Sequence, residues 1–168
     1  MERMKVTTTL AVLALLGAAV AARADQTVKA QLHGFNEVPA ISSTGSGEFT
    51  AKIRGEDAVD WELSYEGLEG TPMTTASHIH FGQKDVNGGV SVFFCGGPTT
   101  PACTPGSGAF SGTFTAADVI GPVGQGIALG DLSELIAAIR AGQTYANVHT
   151  NKHPGGEIRG QVREDSSR

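Results

Sequence analysis

Five histidines are the side chains of this sequence best suited to chemistry, and four of them fall in two short stretches. His78 and His80 are separated by one residue, and His149 is followed by His153 four positions later. On a β-strand, residues i and i+2 share a face, so His78 and His80 are expected to point the same way. Two adjacent imidazoles are a chelating pair that suits zinc or copper, because both metals accept imidazole nitrogen as a ligand.

The second stretch adds a third imidazole on a strand and a fourth in the turn that follows. Strand alternation places Tyr145, Asn147 and His149 on one face, with His153 beyond it. If the two strands are neighbours, the residues form a mononuclear site for Cu or Zn, whereas Mg²⁺ and Ca²⁺ prefer oxygen ligands. The candidate ligands are His78, His80, His149 and His153, and the candidate supporting polar cluster is Asn147, Glu157 and Arg159.

Two other interpretations of the same residues stay open. In the first, Asn147, His149, Glu157 and Arg159 form a buried hydrogen-bonded cluster that fixes the fold, while the loops contact a protein partner. In the second, the histidines hold a metal with an open coordination position, as catalytic zinc sites do, and the chain is a metal-dependent enzyme. A lone His-x-His pair is weak evidence for a metal site, so the prediction depends on the third and fourth histidines.

Composition excludes other classes of function. The 168-residue chain has a formal net charge of −5 at pH 7, which argues against a nucleic-acid binder that works through basic patches. The sequence has no Gly-x-Ser-x-Gly elbow, phosphate loop or dinucleotide fingerprint. We therefore assign no catalytic residue from the sequence.

The elements that must position these side chains are short strands separated by turns. Apolar and polar residues alternate with a period of two, which buries one face of each strand. Asp131 and Glu134 resemble a capping box, and the apolar spacing after them predicts a helix that Gly142 ends. A second short turn is expected over residues 115–118, and Asn87-Gly88 is typical of a hairpin turn. We predict an all-β, antiparallel, Greek-key-like β-sandwich of about 7–8 strands with one or two short helices.

The first 24 residues have the pattern of a secretory signal peptide. Arg3 and Lys5 precede an apolar run over residues 10–22, and Ala22-Arg23-Ala24 fits the small-x-small cleavage site. The run is too short for a spanning helix, which needs about 20 residues, and no later stretch could cross a bilayer. Residues 25–168 are the predicted single mature domain, in a periplasmic or secreted protein.

The two cysteines are predicted to form a disulfide. Cys95 and Cys103 bracket a turn-rich loop, and export would place them in an oxidising compartment. The alternative, a metal-binding thiol pair, lacks the short gap typical of zinc knuckles.

Several motifs together resemble the CHRD domain, the module repeated in the secreted animal protein chordin. They follow one another over most of the predicted mature chain, from about residue 28 to residue 163. The motifs are Asn36-Glu-Val-Pro39, Leu63-Ser-Tyr-Glu-Gly-Leu68, Ser77-His-Ile-His-Phe-Gly82, Gly88-Gly-Val-Ser-Val92, Ala141-Gly-Gln-Thr-Tyr-Ala-Asn-Val-His-Thr150 and Gly155-Gly-Glu-Ile-Arg-Gly-Gln161.

This resemblance implies a compact all-β module of extracytoplasmic type, in a family without a generally established enzymatic activity. The expected function is a non-enzymatic binding or structural module with a His-based Cu or Zn site. A looser similarity, of a His-x-His strand in a sandwich to Cu/Zn superoxide dismutase, gives the enzymatic alternative. It is an analogy of architecture only, because the other ligand motifs of that enzyme are not matched.

Overall fold

The structure is a computed structural model that describes residues 25–70 and 73–166. The predicted signal peptide, residues 1–24, lies outside the described residues. Nine strands and one α-helix, α1 (Leu132–Arg140), make up the described fold. The strands are β1 (Gln26–His33), β2 (Ser46–Arg54), β3 (Ala58–Glu66), β4 (Thr74–Phe81), β5 (Gly89–Cys95), β6 (Gly108–Phe114), β7 (Thr144–Thr150), β8 (Ile158–Gln161) and β9 (Arg163–Glu164).

All strand pairs are antiparallel, and the sheet follows the order β5-β4-β7-β8-β1-β2-β3-β6, with β9 beside β1. The sheet is nearly closed on itself, in a barrel-like or sandwich-like arrangement. This confirms the predicted all-β antiparallel fold class. The additional strand is the two-residue β9, which follows β8 after a single residue.

One face of the strands encloses the hydrophobic core, as the alternation predicts. Trp61 packs in this core, with its ring centroid 4.8 Å from that of Phe94 and 5.0 Å from that of Phe114. Such tilted and stacked aromatic contacts add to the free energy gained from burying their area. Ile79 of β4 and Val148 of β7 also belong to this core. The residues next to Ile79 and Val148 along each strand therefore point to the opposite face of the sheet.

Helix α1 forms where the sequence predicts it. The Asp131 side chain caps it by accepting a 3.1 Å hydrogen bond from the Glu134 backbone N–H, and Leu135 and Ile136 are buried. A short 3₁₀ turn at Ala116–Asp118 confirms the expected second turn. The side chains of Thr115 and Asp118 form a capping box at its start.

Cys95 and Cys103 form the predicted disulfide, with their Cα atoms 5.0 Å apart. The bond ties the end of β5 to the loop that leads to β6. Within the described ranges, no helix is long and apolar enough to cross a membrane.

The second face of β4, β7 and β8 is covered by loops rather than left in solvent. Residues 34–41, 82–88 and 151–157 supply the covering segments, and each is hydrogen-bonded to the strands. Asn87 Nδ2 donates to the Val38 carbonyl at 2.9 Å and so joins two of these loops. Polar side chains on this face are therefore buried, which strand alternation alone does not predict.

Candidate metal centre

Three of the four predicted ligands come together on the covered face. His78 and His80 lie on β4, and His149 lies on the neighbouring β7, opposite Ala76. One ring nitrogen from each of the three lies within 4.8 Å of those of the other two. The His78 and His149 ring centroids are 4.5 Å apart, and those of His78 and His80 are 4.6 Å apart. The rings therefore converge, as a shared ligand would require.

The hydrogen bonds of the three rings assign their protons. His80 Nδ1 lies 2.9 Å from the Gly88 carbonyl, which can only accept, so Nδ1 carries the proton. The Nε2 lone pair of neutral His80 then accepts from His78 Nδ1, at 2.8 Å. His149 Nδ1 donates to the Pro154 carbonyl at 2.8 Å. In this tautomer a free lone pair is left on Nε2 of His78 and of His149, while that of His80 Nε2 is taken up by the hydrogen bond. When His78 carries its proton on Nε2 instead, His78 Nδ1 and His80 Nε2 both present lone pairs to an ion beside His149.

His149 Nε2 is the nitrogen that points most clearly to a ligand. It is buried and has no hydrogen-bond partner among residues 25–70 and 73–166. Buried polar atoms without a partner are uncommon and call for an explanation, such as an unseen ion. Three nitrogens held at about 2.0–2.1 Å from one ion lie about 3.3–3.6 Å from one another in tetrahedral or trigonal geometry. Ring nitrogens that are up to 4.8 Å apart therefore need to approach one another by up to about 1.5 Å to share an ion.

Burial keeps all three imidazoles neutral. It lowers the pKa of His78 to about 2, with smaller contributions from His149 and His80. It lowers the pKa of His80 to about 4, against the opposing effect of the Gly88 carbonyl, and it lowers the pKa of His149 as well. Because a metal ligand must be deprotonated, protons compete weakly for these nitrogens at neutral pH.

His153 lies outside this group. Its ring Nε2 is buried without a partner in the part of the chain that the structure describes, but neither of its ring nitrogens joins the three that converge. Its backbone carbonyl accepts from Thr150 N–H at 3.3 Å, which holds it in the turn after β7. His33 is exposed at the end of β1, away from the cluster.

Asn147 lies on β7 opposite His78 of β4, and it binds a residue that the sequence did not single out. Its Nδ2 donates to Glu37 Oε1 at 2.6 Å and to the Ile158 carbonyl at 3.2 Å. A Cβ at Gly156 would stand 2.5 Å from Glu37 Oε1, so only glycine leaves room for this bond. Burial raises the pKa of Glu37 to about 7, although Asn147 and Arg159 act to lower it.

Glu157 anchors a different part of the cover. Its carboxylate is fully buried and accepts hydrogen bonds from Ser43 Oγ, Thr150 Oγ1 and the backbone N–H groups of Glu69 and Gly70, at 2.6–3.2 Å. Burial acts to raise its pKa, but these donors together lower it below the usual value. Glu157 is thus satisfied by protein groups, which explains why it does not join the histidines.

Arg159 holds the loop over His80. The Arg159 residue is 1% exposed. Its guanidinium donates to the Gln83 carbonyl, the Val86 carbonyl and Asn87 Oδ1 at 2.8–3.2 Å. The same loop supplies the Gly88 carbonyl that orients His80. A Cβ at Gly88 would lie 1.7 Å from the Phe81 carbonyl oxygen, so this close approach requires glycine.

The four residues of the predicted hydrogen-bonded cluster therefore do not bond to one another. Asn147 fastens residues 34–41 to the sheet, Arg159 fastens residues 82–88 and His149 fastens residues 151–157. Glu157 joins the end of that last segment to Thr150, Ser43 and residues 69–70. Sequence reasoning missed the roles of Glu37 and Gly88. The only available signal was that both lie in motifs that carry the family resemblance.

A family model described as the CHRD domain matches residues 28–162, which is nearly the whole described chain. No curated protein and no solved structure matches the sequence.

Proposed function

The chain belongs to the CHRD domain family, and from that premise we propose that it is a non-enzymatic binding module that holds Cu or Zn. Membership of the family supports a binding module rather than an enzyme. His78, His80 and His149 are the proposed ligands. His153 is proposed only as a nearby residue that is not needed for binding.

The observation that carries this proposal is the unpartnered Nε2 of His149, buried beside two further imidazoles. Within the described residues His153 Nε2 is also buried and unpartnered. The indication of an ion therefore comes from the convergence of His149 with His78 and His80 together with the unmade hydrogen bond, which costs about 1–3 kcal/mol. A metal ion would satisfy the His149 nitrogen and would also account for three neutral rings packed together.

Metal analysis of the purified chain tests this function. The parent, a His78→Ala/His80→Ala double variant and a His33→Ala control are loaded with Cu or Zn, freed of excess ion and measured by elemental analysis. We expect one ion per chain in the parent and in His33→Ala, and almost none in the double variant. Equal metal content in all three proteins would overturn the proposal.

The enzymatic alternative requires the same three imidazoles together with a reaction at an open coordination position. No further observation on residues 25–70 or 73–166 favours it. Binding is therefore the function that we propose. Assays of superoxide or hydrolase activity on metal-loaded protein test the enzymatic alternative, which requires that such activity be found.

We also propose that the protein is exported, with residues 1–24 removed and the domain at 25–168 acting in the periplasm or outside the cell. CHRD domains are of extracellular type, and the Cys95–Cys103 disulfide fits such a compartment. N-terminal sequencing of the exported protein should find Asp25 as the first residue. An intact Met1 on the exported protein would contradict the cleavage.

A further inference from the structure

The donor set of the histidine cluster carries no negative charge. The group that could hold an ion consists of three imidazoles, without a carboxylate or thiolate among the residues that the structure describes. Both cysteines are joined in the disulfide. Glu157 is saturated by four protein donors. Any ion bound by these rings would therefore keep its full formal charge.

That charge would lie in a poorly solvated place. His78 is 6% exposed and His80 is 8% exposed, whereas His149 is half-buried at the edge of the group. The Phe93 ring meets the His78 ring edge-on at 4.9 Å, and the Tyr145 ring stacks on His80 at 4.6 Å. The Born cost of burying an ion grows as the square of its charge. A divalent ion consequently pays a much larger desolvation penalty here than a monovalent ion does.

The permanent positive charge of Arg159 makes the difference larger. The Arg159 guanidinium carbon lies 3.4 Å from the centroid of the Tyr145 ring that stacks on His80. Its positive charge acts directly on His80. Repulsion from this group is proportional to the charge of the ion, so a divalent ion is again the more disfavoured.

The number of donors points the same way. Structural zinc sites are almost always four-coordinate, and zinc sites with three protein ligands complete the shell with water or substrate. Here the fourth imidazole, His153, stays outside the group, and two aromatic rings flank the site. Imidazole is a ligand for copper as well as for zinc, and monovalent copper needs no fourth ligand. We propose, on the basis of the function proposed above, that this site selects Cu(I) over Zn(II).

Competition titrations on the full mature chain test the selection. Cu(I) is titrated without oxygen, with ascorbate present, against bathocuproine disulfonate, and Zn(II) is titrated against 4-(2-pyridylazo)resorcinol. We expect Cu(I) to bind at least roughly a thousandfold more tightly than Zn(II). Equal or tighter binding of Zn(II) would overturn the selection while leaving the metal-binding function intact. Binding of neither ion would overturn both.

A charge variant tests the physical reason. Phe93 lies opposite His78 on the edge strand β5, so Phe93→Glu would bring a carboxylate beside the cluster. Its matched neutral control is Phe93→Gln. We expect the preference for Cu(I) over Zn(II) to fall roughly tenfold or more in Phe93→Glu relative to Phe93→Gln. An unchanged preference in a folded Phe93→Glu protein would contradict the electrostatic explanation. If that variant does not fold, the two titrations of the parent decide the proposal.

Discussion

The guanidinium of Arg159 and the imidazole of His80 are stacked against the same ring, that of Tyr145. The Arg159 carbon lies 3.4 Å from the ring centroid, and the His80 ring lies 4.6 Å from it at an interplanar angle of 5°. Because β4 and β8 flank β7, the two groups approach Tyr145 from opposite sides. Arg159 also holds the loop whose Gly88 carbonyl orients His80. One buried cation therefore supports both the position of His80 and the cover above it.

Replacement of Arg159 by lysine should destabilise the protein by about 2–4 kcal/mol. The ammonium cannot reproduce the planar fork that donates to two carbonyls and to Asn87, and acceptors left unpaired in the interior are costly. Urea unfolding monitored by circular dichroism measures the change in the free energy of unfolding. Arg163→Lys is the control, since exposed Arg163 donates to the Gly142 carbonyl and should change stability by less than about 1 kcal/mol. Equal stability of Arg159→Lys and the parent would refute this role.

Glu157→Gln should cost about 2–4 kcal/mol of stability. The amide has one acceptor oxygen, so its NH₂ group would face donors that the carboxylate now satisfies. Exposed Glu164 provides the control in Glu164→Gln, whose stability should match that of the parent. The lowered pKa of Glu157 adds a pH signature. Its stabilising contribution is present above its unfolded pKa and is lost as the pH falls through the lower folded value. A Glu157→Gln protein with the stability of the parent would exclude the proposed anchoring.

Glu37 should make the protein less stable as the pH rises from about 4.5 to 7. Its pKa is raised from 4.5 to about 7, so the folded state holds a proton that the unfolded state releases in this window. Glu37→Gln removes the titration and keeps a side chain whose carbonyl can accept from Asn147. We expect the stability of the variant to vary less between pH 4.5 and 7 than that of the parent, by up to about 3 kcal/mol. Parallel pH profiles would show that Glu37 does not hold this proton.

Loss of the disulfide should have a moderate effect on stability. A Cys95→Ser/Cys103→Ser variant opens a short loop, for which the chain-entropy description gives a loss of about 2–3 kcal/mol. Thermal unfolding of the double variant and of the oxidised parent measures the difference. Unchanged unfolding would mean that the loop is already ordered by its other contacts, such as the 2.7 Å bond from Gly96 N–H to the Pro101 carbonyl.

The strands, the helix and the shared face of the histidines were predictable because each is encoded locally. The period-two alternation around Ile79 and Val148 fixes which side of each strand faces the core. The burial of His78 and His80 was not predictable in this way. It depends on loops that cross the second face and are fastened by Asn147, Glu157 and Arg159 over separations of up to 114 residues. The exclusion of His153 also depends on the turn geometry after β7, which strand spacing does not specify.

Replacement of His149 by alanine distinguishes a metal site from a cluster that serves only stability. His149→Ala removes a nitrogen with no protein partner and one hydrogen bond to the Pro154 carbonyl, so metal-free protein should lose only about 1 kcal/mol of stability. Metal affinity, in contrast, should fall at least roughly a hundredfold, because one of three ligands is gone. His153→Ala is the matched control and should keep an affinity near that of the parent, since His153 lies outside the convergent group. Melting curves recorded with and without metal measure both effects in one experiment. A large stability loss in metal-free His149→Ala, with an unchanged metal-induced rise in melting temperature, would favour the structural cluster instead.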